Sequence, residues 1–497
     1  MVEICRQLDG IPLAIELAAA RVKVLSVEDV RARLGDRFRL LTGGSRSALP
    51  RQKTLLATLQ WSYDQLVPRE QEVLRRLAAF TGGWTLEAAT AVCDENGDEF
   101  EILDLLTELV GKSLVVVDRG DGGRTRYRFL ETVRHYSLQR LEEAGEAPAL
   151  RGRHLAFFLR LAQEAEGKLT GPEQGSWSSR LSEEHENLLA ALSWCGSAGD
   201  GTGTCLRMAN ALWRYWSARG HYELGRRALE DALGRGGAEP EDVRQERAMA
   251  LVRASAFAMV QGDYASARPK IEESLEIYRA LGDKRGEARS LTGLGTLASY
   301  QGDFQAARSF LEQGLALYRE LGNLRGAVSA VLNLGFVSLC LGDLPEAKSL
   351  YEESVGQSRK IGDREHMAMG LADMSFVETR LGRRDVARGQ LLESFTLVKE
   401  LGAKREGAYG LESAAELALS AGEPDRAASF YGSAEALREM IGAPLVPSEQ
   451  ALRNELLAKI RAATGEEGFR IHRAEGAATE FEPAVEAALA WLQEKVE

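Results

Sequence analysis

Arg124, Arg126 and Arg128 alternate with Thr125, Tyr127 and Phe129. In an extended strand that alternation puts three guanidiniums on one face and the other side chains on the opposite one. Such a stripe could hold nucleic-acid phosphates, and it serves equally as a solvated or domain-contacting face. Other residues with reactive chemistry lack useful spacing. His185-Glu186 has no second histidine to complete a zinc-binding helix, and His135, His154, His221, His366 and His472 have no partner at ligand spacing. No Gly-x-Ser-x-Gly nucleophile elbow occurs. Cys5, Cys93, Cys195, Cys205 and Cys340 are odd in number and scattered, which predicts neither a disulfide framework nor a zinc site. Recurring acidic pairs such as Glu272-Glu273 and Glu352-Glu353 read as outer helix faces. No catalytic or metal-ligating residue is expected.

The arginine stripe belongs to a β-hairpin, with strands 113–117 and 125–130 around the turn Arg119-Gly120-Asp121-Gly122-Gly123. Helices are expected before it from Thr54 to about Leu66, Pro68 to Phe80, Leu86 to Cys93 and Phe100 to Val110, and after it from Thr132 to Ala144. Helices followed by a hairpin suggest a winged helix, assigned to 54–146. Upstream, Gly10-Ile11-Pro12 starts an almost wholly apolar helix. Ser26, an acidic residue at Asp29 and the pair Leu25/Val30 start another.

The rest is governed by a repeat. Gly262, Gly302, Gly342, Gly382 and Gly422 recur every 40 residues, and Gly282, Gly322, Gly362, Gly402 and Gly442 stand midway between them. Glycine just past a helix C-terminus can adopt positive φ, so each unit is two helices and two turns. Ala267, Ala307, Ala347, Ala387 and Ala427 form one small column, and Ser274, Gly314, Ser354, Ser394 and Ala434 another. Larger apolar columns, Leu291/Val331/Leu371/Leu411 and Ile271/Leu311/Tyr351/Leu391/Tyr431, complete the buried faces. Ordering ~40 residues costs roughly 60 kcal/mol, which one helix pair cannot recover alone, so the units must stack. The expected layout is a helical segment at 1–53, the winged helix at 54–146, irregular front repeats at 147–240, a regular array at 241–443 and closing helices at 444–497. Within the last, Ser448 to Ala463 and Pro483 to Lys495 read as helices. Loops are expected at 171–179, 196–204 and 233–240. The fold class is mainly α, with a helical linker and winged helix followed by an α-solenoid.

The column spacings, with Leu294-Gly295 and Leu334-Gly335 on the first helix, resemble the tetratricopeptide repeat, in a variant longer than its usual unit. The order of parts resembles the C-terminal part of the STAND NTPases. The runs Gly10-Ile11-Pro12-Leu13-Ala14, Leu49-Pro50-Arg51-Gln52-Lys53-Thr54-Leu55, Trp61-Ser62-Tyr63-Asp64-Gln65-Leu66, Phe80-Thr81-Gly82-Gly83-Trp84 and Leu130-Glu131-Thr132-Val133-Arg134 are similar to its bacterial regulator branch. The resemblance implies an ATPase core with ATP and magnesium upstream of Met1, because no Gly-x-x-x-x-Gly-Lys-Ser/Thr loop occurs here. No cofactor is therefore expected in this chain, and no enzyme activity. By the same resemblance Gly10 and Pro12 match the motif whose proline lies against adenine. Leu130-Glu131-Thr132 matches the phosphate-sensing Met-His-Asp motif, with Glu131 and Thr132 replacing its histidine and aspartate.

In tetratricopeptide arrays the first helix of each unit lines a groove. The matching positions are Arg289, Asn333, Phe336, Asp373, Phe376, Tyr409 and Glu412. Phe336 and Phe376 are equivalent residues of neighbouring units, and if exposed they form an aromatic step. The 497 residues are 44% hydrophobic and 27% charged with a net charge of −12, so any nucleic-acid surface must be local. No membrane span or signal layout is seen, and a cytoplasmic location is expected. The expected function is the sensor part of a STAND-type signalling or transcription regulator whose array binds a protein or small-ligand inducer. Alternatives are a winged-helix transcription factor using Arg124, Arg126 and Arg128 on DNA, and a passive scaffold.

Overall fold

The computed structural model describes residues 55–119, 124–170, 173–197, 201–235 and 241–494, with isolated positions at 19, 22 and 26–29. The Gly10 and Pro12 assignments lie outside the described residues. At Ser26 the hydroxyl accepts from the Asp29 N–H at 3.0 Å, as a helix cap does. The chain divides into two compact units, one comprising 1–161 with 182–198 and the other 162–181 with 199–497.

The first unit holds helices α1 (Leu55–Asp64), α2 (Pro68–Leu77), α3 (Leu86–Cys93) and α4 (Glu99–Gly111), strands β1 (Val116–Arg119) and β2 (Thr125–Arg128), and α5 (Glu131–Glu143). The hairpin is antiparallel, with Val117 opposite Tyr127 and Asp118 opposite Arg126. Trp84 adds a bridge on the free edge of β2, exchanging 2.8 Å backbone hydrogen bonds with Tyr127 in both directions. The Gly82-Gly83 pair allows this approach: both have positive φ, and a Cβ on Gly83 would lie 2.7 Å from the Tyr127 carbonyl oxygen. Trp84 then buries its indole 4.9 Å from the Phe129 ring and 5.6 Å from Phe80. β1 begins three residues later than the apolar run suggests. Leu114 and Val115 are spent closing α4, donating to the Leu109 carbonyl, and Ser113 turns through positive φ.

Helix α6 (Ala147–Lys168) follows, then α7 (Gln174–Glu183) and α8 (His185–Trp194). α7 occupies much of the expected loop 171–179, because Trp177 and Leu181 bury there. Cys195 and Cys205 are each disulfide-bonded, correcting the expectation of no bridge; in an odd, scattered set neither has a spacing that marks it. Cys93 and Cys340 are free.

The second unit continues with α9 (Gly201–Arg219), α10 (Tyr222–Leu233), α11 (Glu241–Val260), α12 (Tyr264–Leu281), α13 (Lys284–Gln301), α14 (Phe304–Glu320), α15 (Leu324–Cys340), α16 (Leu344–Ile361), α17 (Arg364–Arg380), α18 (Arg384–Leu401), α19 (Lys404–Ser420) and α20 (Pro424–Ile441). Every glycine of both 40-residue series, Gly262 to Gly442, has positive φ. Asp263, Asp283, Asp303, Asn323, Asp343 and Asp363 cap the next helix through their side chains, so each Gly-Asp/Asn step ends one helix and starts another. The alanine column is buried, and a Cβ on Gly335 would lie 2.7 Å from the Tyr351 ring. In the serine column, Ser274 and Ser394 donate at 2.8 Å to the Ala248 and Ala368 carbonyls of the preceding helix.

Neighbouring first helices (α11, α13, α15, α17, α19) pack closely against one another. Among the described residues neighbouring second helices do not, so the first helices form the inner face. The chain ends in α21 (Gln450–Ala477), broken at Gly465, and α22 (Phe481–Glu494). The stretch after Gly465 was not expected to be helical. It meets α20 backbone to backbone: a Cβ on Gly476 would lie 1.9 Å from the Ser429 carbonyl oxygen. No helix among the described residues is long and apolar enough to cross a membrane.

Candidate functional site

Two surfaces carry the sequence-assigned residues, one in each unit. On the winged helix, Arg124 and Arg128 are exposed as the alternation predicts. Arg126 is not free: its guanidinium pairs with the Glu184 carboxylate and donates to the Glu183 carbonyl at 3.1 Å. Glu131 is half-buried beside Arg134 at 3.7 Å, and Thr132 is fully buried.

The decisive feature of this surface was missed in the sequence. In helix-turn-helix proteins the second helix of the motif enters the major groove. The matching helix here, α4, reads EFEILDLLTELVG, with four carboxylates and no basic residue. Glu99, Asp104 and Glu108 are exposed, with Phe100 81% and Leu103 37% exposed beside them. A helix of that composition repels phosphates instead of gathering them. The signal was present in the sequence, but it acquires meaning only once α4 is seen to be the second helix of the motif.

Around His154 the same unit is buried and aromatic. The ring lies 5.4 Å from Phe80, 4.5 Å from Phe158 and 4.8 Å from Trp194, and burial pushes its pKa down to about 3 despite a contact with Asn187. Asn187 ties down the glycine turn, donating to the Gly83 carbonyl and accepting from the Thr81 N–H, both at 2.8 Å.

On the array, all seven groove positions fall on α13, α15, α17 and α19, the inner-face helices. Arg289, Asn333, Phe336 and Asp373 are half-buried. Asn333 donates to the Ser329 carbonyl at 2.8 Å, and Phe336 meets Tyr300 edge-on at 6.2 Å. Phe376 is only 4% exposed, held between the guanidiniums of Arg380 at 4.8 Å and Arg453 at 5.3 Å. With Phe376 covered by Arg453, the condition for an aromatic step, exposure of both Phe336 and Phe376, is not met.

Tyr409 is buried with Arg438 stacked 4.5 Å above it. Glu412, 2% exposed, accepts from Arg438 at 2.7 and 3.0 Å and pairs with Arg453 at 2.7 Å. Burial alone would raise its pKa, but the two arginines outweigh burial and hold the carboxyl below its ordinary range. Asp373 goes the other way, pushed up to about 8 by burial and by the carboxylates of Glu449 and Glu412. Arg405 donates to the Tyr300 hydroxyl at 3.1 Å.

The residues that complete this network, Arg405, Arg438, Glu449 and Arg453, were not marked in the sequence. Three of them come from outside the first helices, and the sequence gives no local sign that they reach back. A cavity of about 470 Å³ adjoins the network, lined by Glu412, Tyr431, Arg438, Pro444, Leu445 and Leu457. Among the described residues no group of three or more potential metal ligands gathers.

Comparison with known proteins agrees with this division. The winged helix-turn-helix domain family matches residues 66–142, and the tetratricopeptide repeat family matches 246–320. Neither family is catalytic. A Mycobacterium tuberculosis protein named as an HTH-type transcriptional regulator is 40% identical over 306 residues, which is 59% of this chain and 33% of the relative. An uncharacterised protein of the same species is 48% identical over 154 residues, 31% of this chain and 39% of the relative. The chain thus spans about a third of the length of the curated relatives it matches. Among solved structures, a STAND protein with a tetratricopeptide repeat sensor from Pyrococcus horikoshii aligns with 97% of this chain and 74% of its own at a TM-score of 0.42 and 15% identity. The class is a mainly α protein with a winged helix-turn-helix domain and a tetratricopeptide array.

Proposed function

We propose that this chain is the sensor part of a STAND-type regulator, in which the inner face of the array binds a protein or small-ligand inducer and the winged helix relays that event. The observation carrying the reading is the network on the inner face: Tyr409, Glu412, Arg438 and Arg453 are buried charges and rings gathered from three helices, α19, α20 and α21. Buried ion pairs add little net stability compared with apolar packing. They do make an interface selective, since a ligand must match them or leave charges unpaired.

The acidic face of α4 supports a relay role and speaks against direct DNA reading by this winged helix. ATP and magnesium belong to the ATPase core that the resemblance implies. To move a two-state protein from 1:99 to 99:1, an inducer must favour one state by ~5.5 kcal/mol, a difference that contacts over several repeats can supply. Deleting the stretch equivalent to 240–440 from a full-length relative tests the reading. Loss of the response is expected, and an unchanged response refutes it. Duplex binding by the full chain at low salt, weakened when Arg124 and Arg128 become alanine, would instead favour the transcription-factor alternative.

A further inference from the structure

The inner face already has an occupant. After Gly442 the chain turns back onto the array through an irregular run, Ala443 to Val446, and one 3-10 turn, Pro447–Glu449, stiffened by Pro444 and Pro447. Pro444 comes up to the turn at Gly262, where a Cβ would meet its ring at 3.3 Å. The short turn Pro447–Glu449 packs on α13. The Ser448 carbonyl lies 4.0 Å from the Cys340 sulfur on α15. Arg453 covers Phe376 on α17 and pairs with Glu412 on α19, and Glu455 reaches Arg380 on α17 at 3.3 Å. Thirteen residues, 443–455, thus touch the first helices of four successive units. The first of the two helices expected to close the end of the array instead begins inside its groove.

The fit is incomplete. Glu449 is only 5% exposed, yet one of its carboxylate oxygens has no hydrogen-bond partner in the chain. Arg453, 7% exposed, leaves Nε and Nη1 without one, and the Ser448 hydroxyl has none either. Glu449 also adds a carboxylate to a region that already holds Asp373 and Glu412. A buried polar group left unpaired favours any rearrangement that pairs it. The segment therefore covers the groove without satisfying all of its own polar atoms.

We propose that residues 443–455 are a built-in occupant of the groove, a strap that an inducer displaces when it binds. This rests on reading the inner face as the ligand-binding face. Displacement would uncover Phe376, Cys340 and Glu412 together, and it would free Arg453 and Glu449 to report occupancy to the α21 end of the array. An inducer thus competes with a tethered segment of the same chain, and loosening the tether should raise its apparent affinity.

Cys340 is the reporter, because its half-buried sulfur lies 4.0 Å from the Ser448 carbonyl of the strap and burial pushes its pKa up to about 12. In the full chain, iodoacetamide labelling of the Cys340 peptide is followed by mass spectrometry. Two variants are compared with the parent: Arg453→Ala, and one with Pro444 to Ser448 replaced by a glycine-serine run of equal length. The expected result is labelling at least ~10-fold faster in both variants, with the parent's helical circular-dichroism signal retained. A synthetic peptide of residues 443–456 should restore protection in both. Unchanged labelling in either folded variant overturns the proposal, as does loss of the helical signal in both, which would make the strap part of the core. If the labelling behaves as expected while deletion of 240–440 leaves the relative's response intact, the strap stands and the sensor reading falls.

Discussion

Glu412→Gln keeps the shape of a buried side chain and removes the charge on which two guanidiniums depend. Arg438 donates two bonds to the carboxylate and Arg453 pairs with its second oxygen, all at 2.7–3.0 Å, in a site where none of the three is more than 8% exposed at the side chain. A glutamine oxygen can still accept from one arginine, but the other cation is left with Glu449 alone. Breaking a buried pair by removing one partner typically costs ~3–5 kcal/mol, far more than the pair contributes over an apolar replacement. For an array of this size that lowers the thermal midpoint by roughly 4–8 °C. The check is equilibrium urea unfolding of parent and variant at pH 7, with Glu393→Gln, a surface ion pair, as the control expected to change by at most ~1 kcal/mol. A Glu412→Gln loss no larger than the control's would refute the reasoning, since it would mean that the site is wet enough to screen these charges. The deficit should also shrink in acid. The folded carboxyl titrates below its ordinary range, so its contribution is present above the unfolded value and lost as pH falls through the folded one.

Gly83→Ala forces a side chain into positive φ and puts its Cβ 2.7 Å from the Tyr127 carbonyl oxygen; a loss of about 2–4 kcal/mol is expected in urea unfolding followed by tryptophan fluorescence, against a smaller loss of about 1–2 kcal/mol for Gly97→Ala, whose Cβ meets open space and whose cost is backbone strain alone. Asp373 titrates near 8 in the folded protein and near 3.8 when unfolded, so its presence makes stability fall as pH rises between those values; Asp373→Asn should remove that slope and stabilise the chain at pH 8, as measured by thermal midpoints from pH 5 to 8. His154 titrates near 3 folded and 6.5 unfolded, so stability should fall as pH drops from 6.5 towards 3, and a midpoint series with His154→Gln should flatten that loss.

What was legible in the sequence was whatever repeats or is local. The two glycine series gave the helix ends from the close of α11 to the close of α20, and the alternation around Tyr127 gave the hairpin. Arg124 and Arg128 stand exposed as alternation requires, yet Arg126 is taken up by Glu184, a residue 58 positions away that no pattern links to it. The groove shows the same limit. Periodicity identified the inner-face positions, but their neighbours Ser448, Glu449 and Arg453 arrive from a segment with no period. Phe376 and Tyr409 were therefore expected in an open groove and lie covered in the structure. α7 and the end of α21 were hidden for a related reason: serines and glycines that read as loop in isolation become helix when Trp177 buries or when Gly476 admits a neighbouring backbone. Local propensity is a weak prior that tertiary packing overrides.

The most direct measurement places charge changes on the two faces of the array in a full-length relative and records its transcriptional response to its inducer. Arg289→Glu with Asn333→Glu alters the inner face, and Glu272→Lys with Glu352→Lys alters exposed positions on the second helices. The inner pair is predicted to weaken the response by roughly tenfold or more and the outer pair to leave it within about twofold. Equal effects from the two pairs, or loss of the response from the outer pair alone, would contradict the assignment of the inner face as the sensor.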